Sequence, residues 1–221
     1  MKNKLYIFPV ILFILGLLSC NSWLDVTPDD EITEKDLFST GDGFRNALNG
    51  VYKTLASEAI YGKQMSWGVV DAMRQYYDQD VAPHLNDIVS ATAFDLKNNV
   101  VKPITDEFWS ICYNAVANCN NIIQQIEGAP VDLFKSESEK NMIHGEALAL
   151  RAFIQFDLLR IFAPSFSMGG KDQKYLPYKT DYMSKVSPKI TVEACLDSII
   201  RDLNVAKSLI IEFESEKPGL L

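Results

Sequence analysis

Histidine is almost missing from this chain. Only His84 and His144 occur in 221 residues. That leaves no Ser-His-Asp order and no paired-histidine spacing on which hydrolytic or metal chemistry could be built. The four cysteines contain no CxxC pair, so a zinc site lacks its ligands. Gly169-Gly170-Lys171 has neither the preceding strand nor the spacing of a phosphate-binding loop. Basic charge is also short. The chain has 21 Lys and Arg against 29 Asp and Glu, a formal charge of −8. An acidic surface repels phosphate backbones, which argues against nucleic acid as a partner. Beyond the first 20 residues no apolar run approaches the roughly 18 needed to span a bilayer. No cofactor and no metal is expected. Acidic pairs such as Asp29-Asp30 suit an acidic surface. A glycosidase needs two carboxylates facing each other across a cleft, and spacing in sequence does not decide that.

The N-terminus is what the chain does offer. Lys2 and Lys4 lead into an apolar stretch from Leu5 to Leu18, broken only by Pro9 and Gly16. Small Ser19 follows, then Cys20. A positive leader, a short apolar core and a small residue make the layout of a secretory signal peptide. Leu17-Leu18-Ser19-Cys20 resembles the lipobox of bacterial lipoproteins, in which cleavage precedes the cysteine and the cysteine is acylated. Each buried acyl methylene adds about 0.8 kcal/mol, so several chains anchor firmly where one does not. The expected organisation is a signal peptide over 1–19, an extended lipid-anchored tether over 20–40, and a helical domain over 41–221. The mature chain then keeps 19 basic and 29 acidic side chains, a formal charge of −10.

Helical periodicity dominates the remainder. Thr40 is placed to cap a helix carrying Phe44, Leu48, Val51 and Leu55 on one face. A weaker helix is expected over 64–77, followed by irregular chain from Asp78 to Asn99 in which Ala91-Thr92-Ala93-Phe94 reads as extended. Pro103 sits in the first turn of a long helix, where no amide is required of it. Its stripe includes Phe108, Cys112, Val116, Cys119, Ile123 and Ile126, and Gly128 and Pro130 end it. Ser136 or Ser138 opens the next helix, with Glu137 and Glu139 at the positive end of its dipole, and Pro164 closes it. Thr191 caps the last, whose stripe of Val192, Cys195, Ile199, Leu203 and Ala206 calls for a partner helix. Cys112 and Cys119 are seven residues apart on one helix. At 1.5 Å per residue their Cα atoms lie about 10 Å apart, too far for a disulfide. With Cys195 they read as small buried apolar residues. Successive long helices joined by short Gly/Pro turns suggest stacked helix pairs of tetratricopeptide type, an all-α fold with irregular loops.

Specific residues carry a resemblance. Trp23-Leu24-Asp25-Val26-Thr27-Pro28 follows Cys20. Then come Gly43-Phe44-Arg45-Asn46-Ala47-Leu48-Asn49-Gly50-Val51-Tyr52, and Trp109 with Tyr113 and Asn120. Glu146-Ala147-Leu148-Ala149-Leu150-Arg151-Ala152-Phe153 runs on to Phe156-Asp157-Leu158-Leu159-Arg160. Thr191-Val192-Glu193 precedes Asp202-Leu203. In this order, behind a lipobox, the set resembles the N-terminal part of the SusD/RagB family of nutrient-binding outer-membrane lipoproteins. The resemblance implies tetratricopeptide-like helix pairs, here incomplete relative to the full family fold, since family members usually run to about twice this length or more. It also implies a non-enzymatic lid on a TonB-dependent (SusC-like) outer-membrane transporter, capturing a glycan or other nutrient outside the cell.

Candidate ligand contacts come from the irregular segment. Trp67, Arg74, Tyr76, Tyr77 and Asp78 bring aromatic faces together with polar forks, the pairing that sugars require. Tyr175, Tyr178 and Tyr182 form a second aromatic set. Trp109, Tyr113 and Phe153, at helical spacing, are expected in the core. Gly50, inside a periodic helix, is expected at a close helix contact, and His144 on a helix surface. Arg151 and Asp157 are not helical neighbours, so each is expected to pair across helices or face water. Two other readings stay open: a helical-repeat scaffold that binds a protein, and a secreted lipoprotein hydrolase.

Overall fold

The computed structural model describes residues 32–76, 86–183 and 186–216. Residues from Lys35 onward form one compact unit, which carries the helical fold. A single helical turn, Glu34–Leu37, leads to Phe38, which is in the core and 4.8 Å from the Phe44 ring. The core thus begins slightly before residue 41.

Helix α1 is Gly41–Leu55, α2 the single turn Val69–Ala72, and α3 Asn86–Thr92. Helix α4 is Val101–Gly128, α5 Glu137–Phe162 and α6 Val192–Glu216. Two short antiparallel strands, β1 (Lys174–Leu176) and β2 (Ile190–Thr191), pair Lys174 with Thr191 and Leu176 with Ile190. The fold is all-α and built from tetratricopeptide-like helix pairs.

The helix boundaries follow from local chemistry. The Thr40 hydroxyl accepts from the Gly43 amide at 3.1 Å. The Asn98 side chain accepts from the Val100 amide at 2.8 Å just before α4, and Pro103 falls in the first turn. The Ser136 hydroxyl accepts from the Glu139 amide and so meets one orphan donor, and the Glu139 carboxylate reaches back past the cap to accept from the Lys135 amide. The Thr191 hydroxyl accepts from the Ala194 amide. Each cap contributes about 1 kcal/mol.

Packing assigns the helices unequal roles. Helix α5 lies between α4 and α6 and also touches α1. It buries Ile143, Ala147, Leu150, Ile154 and Leu158, and also Leu148, Ala152, Gln155 and Leu159 on its other sides. A helix surrounded in this way has no single apolar stripe. Helix α6 lays Val192, Cys195, Ile199 and Ala206 against the fold. Most of its stripe is therefore met by the preceding helix, α5, while Leu203 stays 43% exposed. Cys112, Cys119 and Cys195 are free and buried, as expected.

Several expectations give way. Of the expected helix over 64–77, the described residues 64–76 do not form one continuous helix. Turns fill 56–68, Gly68 precedes the one-turn α2, and the Gln64 side chain accepts from the Val69 amide. Ala91 to Phe94 is not extended. With no strand beside it among the described residues, the segment meets its backbone needs locally, through α3 and a turn in which Phe94 takes φ +55°. Gly50 faces open space, and the close helix contact is at Gly145 instead. A Cβ there would lie 2.9 Å from Ile210 Cγ1 and 3.1 Å from the Ala206 carbonyl oxygen. His144 is half-buried. Burial holds its pKa below the ordinary histidine value, and Glu127 opposes that pull.

Candidate ligand-binding cleft

Trp109 is not a core residue. Phe108, one position earlier, faces the core completely, and a helix turns about 100° per residue, so Trp109 emerges at the flank with 37% of its surface exposed. Its indole is braced on two sides. The Tyr113 ring lies 4.8 Å away and the Phe162 ring meets it edge-on at 5.2 Å. Phe153 is likewise half-exposed and stacks near Tyr61 at 5.3 Å.

Across from Trp109, the chain leaves β1 and runs as an irregular segment from Pro177 to Tyr182. Between helix and segment lies a cleft of about 330 Å³ lined by Trp109, Tyr113, Asn120, Pro177, Asp181 and Tyr182, among others. That is at the lower end of the 300–1,000 Å³ or so typical of small-molecule sites. Tyr182 exposes 37% of its surface and the Asp181 side chain is exposed. Each wall thus supplies an aromatic ring, and Asn120 and Asp181 are among the polar residues that line the space with them.

The segment is fastened from beneath. The Tyr113 hydroxyl donates to the Pro177 carbonyl at 3.0 Å. The Tyr178 hydroxyl donates to Asp202 at 2.5 Å. Burial raises the Tyr178 pKa, and the bond to Asp202 raises it further, so the phenol stays protonated and donating. Arg151 forks onto the same carboxylate, Nε at 2.7 Å and Nη2 at 2.8 Å, and its Nη1 donates to Asn120 at 2.9 Å. The expected cross-helix pairing of Arg151 is therefore present, from α5 to α6. Asp157 accepts from Tyr61 at 2.6 Å and from Arg160 within its own helix.

The candidates from the irregular segment fall into two groups. Trp67 and Tyr76 are strongly exposed, at 62% and 79%. The Arg74 guanidinium lies 4.9 Å over the Tyr76 ring and also reaches Asp71 at 3.3 Å. One face of Tyr76 is therefore occupied within the chain. Tyr77, Asp78, His84 and Cys20 lie outside the described residues. Of the second aromatic set, Tyr182 lines the cleft, Tyr178 anchors its wall, and Tyr175 bonds to Gln173. Sequence reasoning therefore missed the cleft while naming several of its parts. The order Trp109, Tyr113, Asn120 on one helix was the available signal.

Among the described residues no group of three or more His, Cys, Asp and Glu could hold a metal ion. No helix among them is long and apolar enough to cross a membrane.

A SusD-like family model, described as starch-binding and associating with the outer membrane, matches residues 22–218. The chain belongs to the SusD-like family. The SusD-like protein P38 of Formosa agariphila is 26% identical over 203 residues, 90% of this chain and 36% of that protein. The SusD-like protein P2 of the same organism is 23% identical over 208 residues, 92% of this chain and 38% of its own length. This SusD-like chain therefore spans well under half the length of these curated relatives. Solved structures share its fold. A putative sugar-binding protein from Bacteroides vulgatus superposes with a TM-score of 0.62 at 24% identity, over 77% of this chain and 37% of that one. A SusD-like carbohydrate-binding protein from the same species gives 0.59 at 21%, over 77% and 36%.

Proposed function

We propose that this SusD-like chain binds a glycan without chemistry, in the cleft between Trp109 and Tyr182. The observation that supports it is an exposed, braced aromatic ring on one wall and a second ring on the other, with Asp181 also lining the cleft. Sugars lay their C–H faces on such rings and offer hydroxyls to carboxylates and amides. Trp67 and Tyr76 form a secondary platform in this reading, with Arg74, Tyr77 and Asp78 as further contacts. The protein's setting follows the family: residues 1–19 removed as a signal peptide, Cys20 acylated, 20–40 leading from the outer membrane to the domain, and delivery to a TonB-dependent transporter. Mass spectrometry of the mature protein is expected to show an acylated N-terminal Cys20, and an intact Met1 would refute it.

Calorimetric titration with maltoheptaose, laminarihexaose and xylohexaose tests the binding. At least one is expected to bind. Trp109→Ala and Tyr182→Ala are each expected to weaken it by about 1–2 kcal/mol, a factor of roughly 5–30. Trp67→Ala is expected to weaken it less. Unchanged affinity in both cleft variants sinks the cleft, and a larger loss in Trp67→Ala moves the site to the loop.

A further inference from the structure

We propose that Gln155 and Asn120 are positioning residues for this cleft: they hold the wall that holds the ligand. The proposal rests on the glycan reading above for its functional half only. Both side chains are fully buried. The Gln155 amide engages the Lys179 backbone from both sides. Lys179 N–H donates to Oε1 at 2.6 Å, and Nε2 donates to the Lys179 carbonyl at 3.2 Å. This reciprocal pair is what a neighbouring β-strand would offer, yet the segment has passed the end of β1 and no strand lies there among the described residues. A helix side chain takes the place of the strand.

Asn120 completes the grip. Its Nδ2 donates to the Lys179 carbonyl at 3.3 Å and to the Asp181 carbonyl at 3.2 Å. Its Oδ1 accepts from Arg151 at 2.9 Å. A primary amide has two protons to donate, and both are committed. Asn120 lines the cleft but has no donor left for a ligand. Recognition of sugar hydroxyls then falls to the other polar lining residues, Asp181 and Tyr182 among them, and the backbone that Asn120 and Gln155 hold is that of Lys179 and Asp181. Arg151, fixed by Asp202, keeps the Asn120 amide turned the right way, since a flipped amide would set two donors against each other.

Two variants and two readouts test this in the full chain. Gln155→Met keeps size and helix preference while removing both bonds. Asn120→Asp keeps the acceptor for Arg151 while removing both donors. Hydrogen exchange over 177–182 and titration with the three oligosaccharides are measured for each. Each variant is expected to raise exchange in this segment by about tenfold or more: Gln155→Met removes the acceptor of the Lys179 N–H, and Asn120→Asp removes two bonds to carbonyls that keep the segment closed. Each is also expected to weaken sugar binding by about tenfold while helicity by circular dichroism stays that of the parent. Tyr182→Ala, which removes a contact and no anchor, is expected to weaken binding with exchange at Lys179 unchanged. Parent-like exchange in both anchor variants overturns the proposal, as does parent-like affinity in both despite faster exchange. If the parent binds no sugar, the glycan reading fails. Faster exchange in the variants then still supports the two amides as holders of the wall, and unchanged exchange removes both ideas.

Discussion

Arg151 ties three helices together through one planar group, bonding to Asp202 on α6 and Asn120 on α4 from its place on α5. Arg151 and Asp202 are both buried, at 6% and 8%. Removing one partner strands the other's charge, so Arg151→Met is expected to cost about 3–5 kcal/mol in urea unfolding. Arg151→Met with Asp202→Leu is expected to recover part of that, because the stranded charge is gone while the Tyr178 hydroxyl and the Asn120 oxygen still lose their partners. A single variant as stable as the double would contradict this. Lysine is no substitute, since it lacks the fork. The thiols act as the opposite kind of residue, inert by burial. Burial pushes Cys112 and Cys119 up to about 12 and Cys195 to about 11. The thiolate is the reactive form. At pH 8 none of these three is expected to be alkylated in the folded protein, and all three in denaturant, as read by peptide mass spectrometry. Labelling of any of them in the folded state would show that its site opens.

Two glycines show how the same change can act in opposite directions on an element. Gly50 sits in α1 with nothing near its missing Cβ, so Gly50→Ala is expected to stabilise by about 0.5–1 kcal/mol through backbone entropy alone. Gly145 sits where α5 meets α6, with Ile210 and the Ala206 carbonyl within about a methyl's reach. There the same gain is outweighed by overpacking of about 1–3 kcal/mol, and Gly145→Ala is expected to lower the unfolding midpoint. Matching shifts in the two variants would contradict the assignment. The elements themselves were mostly legible. Thr40, Ser136 and Thr191 are caps within three residues of the amides they serve, and short-range chemistry can be read directly. The contact glycine was not. Gly50 and Gly145 each interrupt a helix, and only the packing of α6 distinguishes them.

At the scale of the whole molecule, the pH response sums many buried groups. Tyr52 is pushed up to about 12 by burial and by Glu146, and burial raises Tyr61, Tyr113 and Tyr178 as well, Asp157 and Asp202 adding to the first and last. The three buried thiols shift in the same direction. The folded state therefore keeps protons that the unfolded chain gives up near pH 9–10. Stability on this account is unaffected below about pH 9 and falls as pH rises through about 9–12, each group contributing up to about 1.4 kcal/mol per pH unit. His144 works at the other end. Its pKa is lowered by burial, so its share of stability is present above about 6.5 and lost as pH falls. Melting temperatures from pH 5 to 12 are expected to fall at both ends, and a flat profile to pH 12 would count against the buried phenols. The fold class was legible because periodicity is a local signal. The cleft was not, because Asn120 meets Lys179 59 residues away and Gln155 meets it 24 residues away. Trp109 belongs to the core or to the cleft according to which of those distant segments arrives beside it.

The grip on the cleft wall has a consequence for its future sequences. At 179 and 181 the helices hold main-chain atoms, which every residue possesses. The side chains of Asp181 and Tyr182 take no part in these holds. Substitutions at those two positions can alter what the pocket prefers while its shape is maintained from behind. Under the proposed glycan reading, the arrangement separates scaffold from selectivity, so one frame can be retuned to different sugars by changing only a few codons.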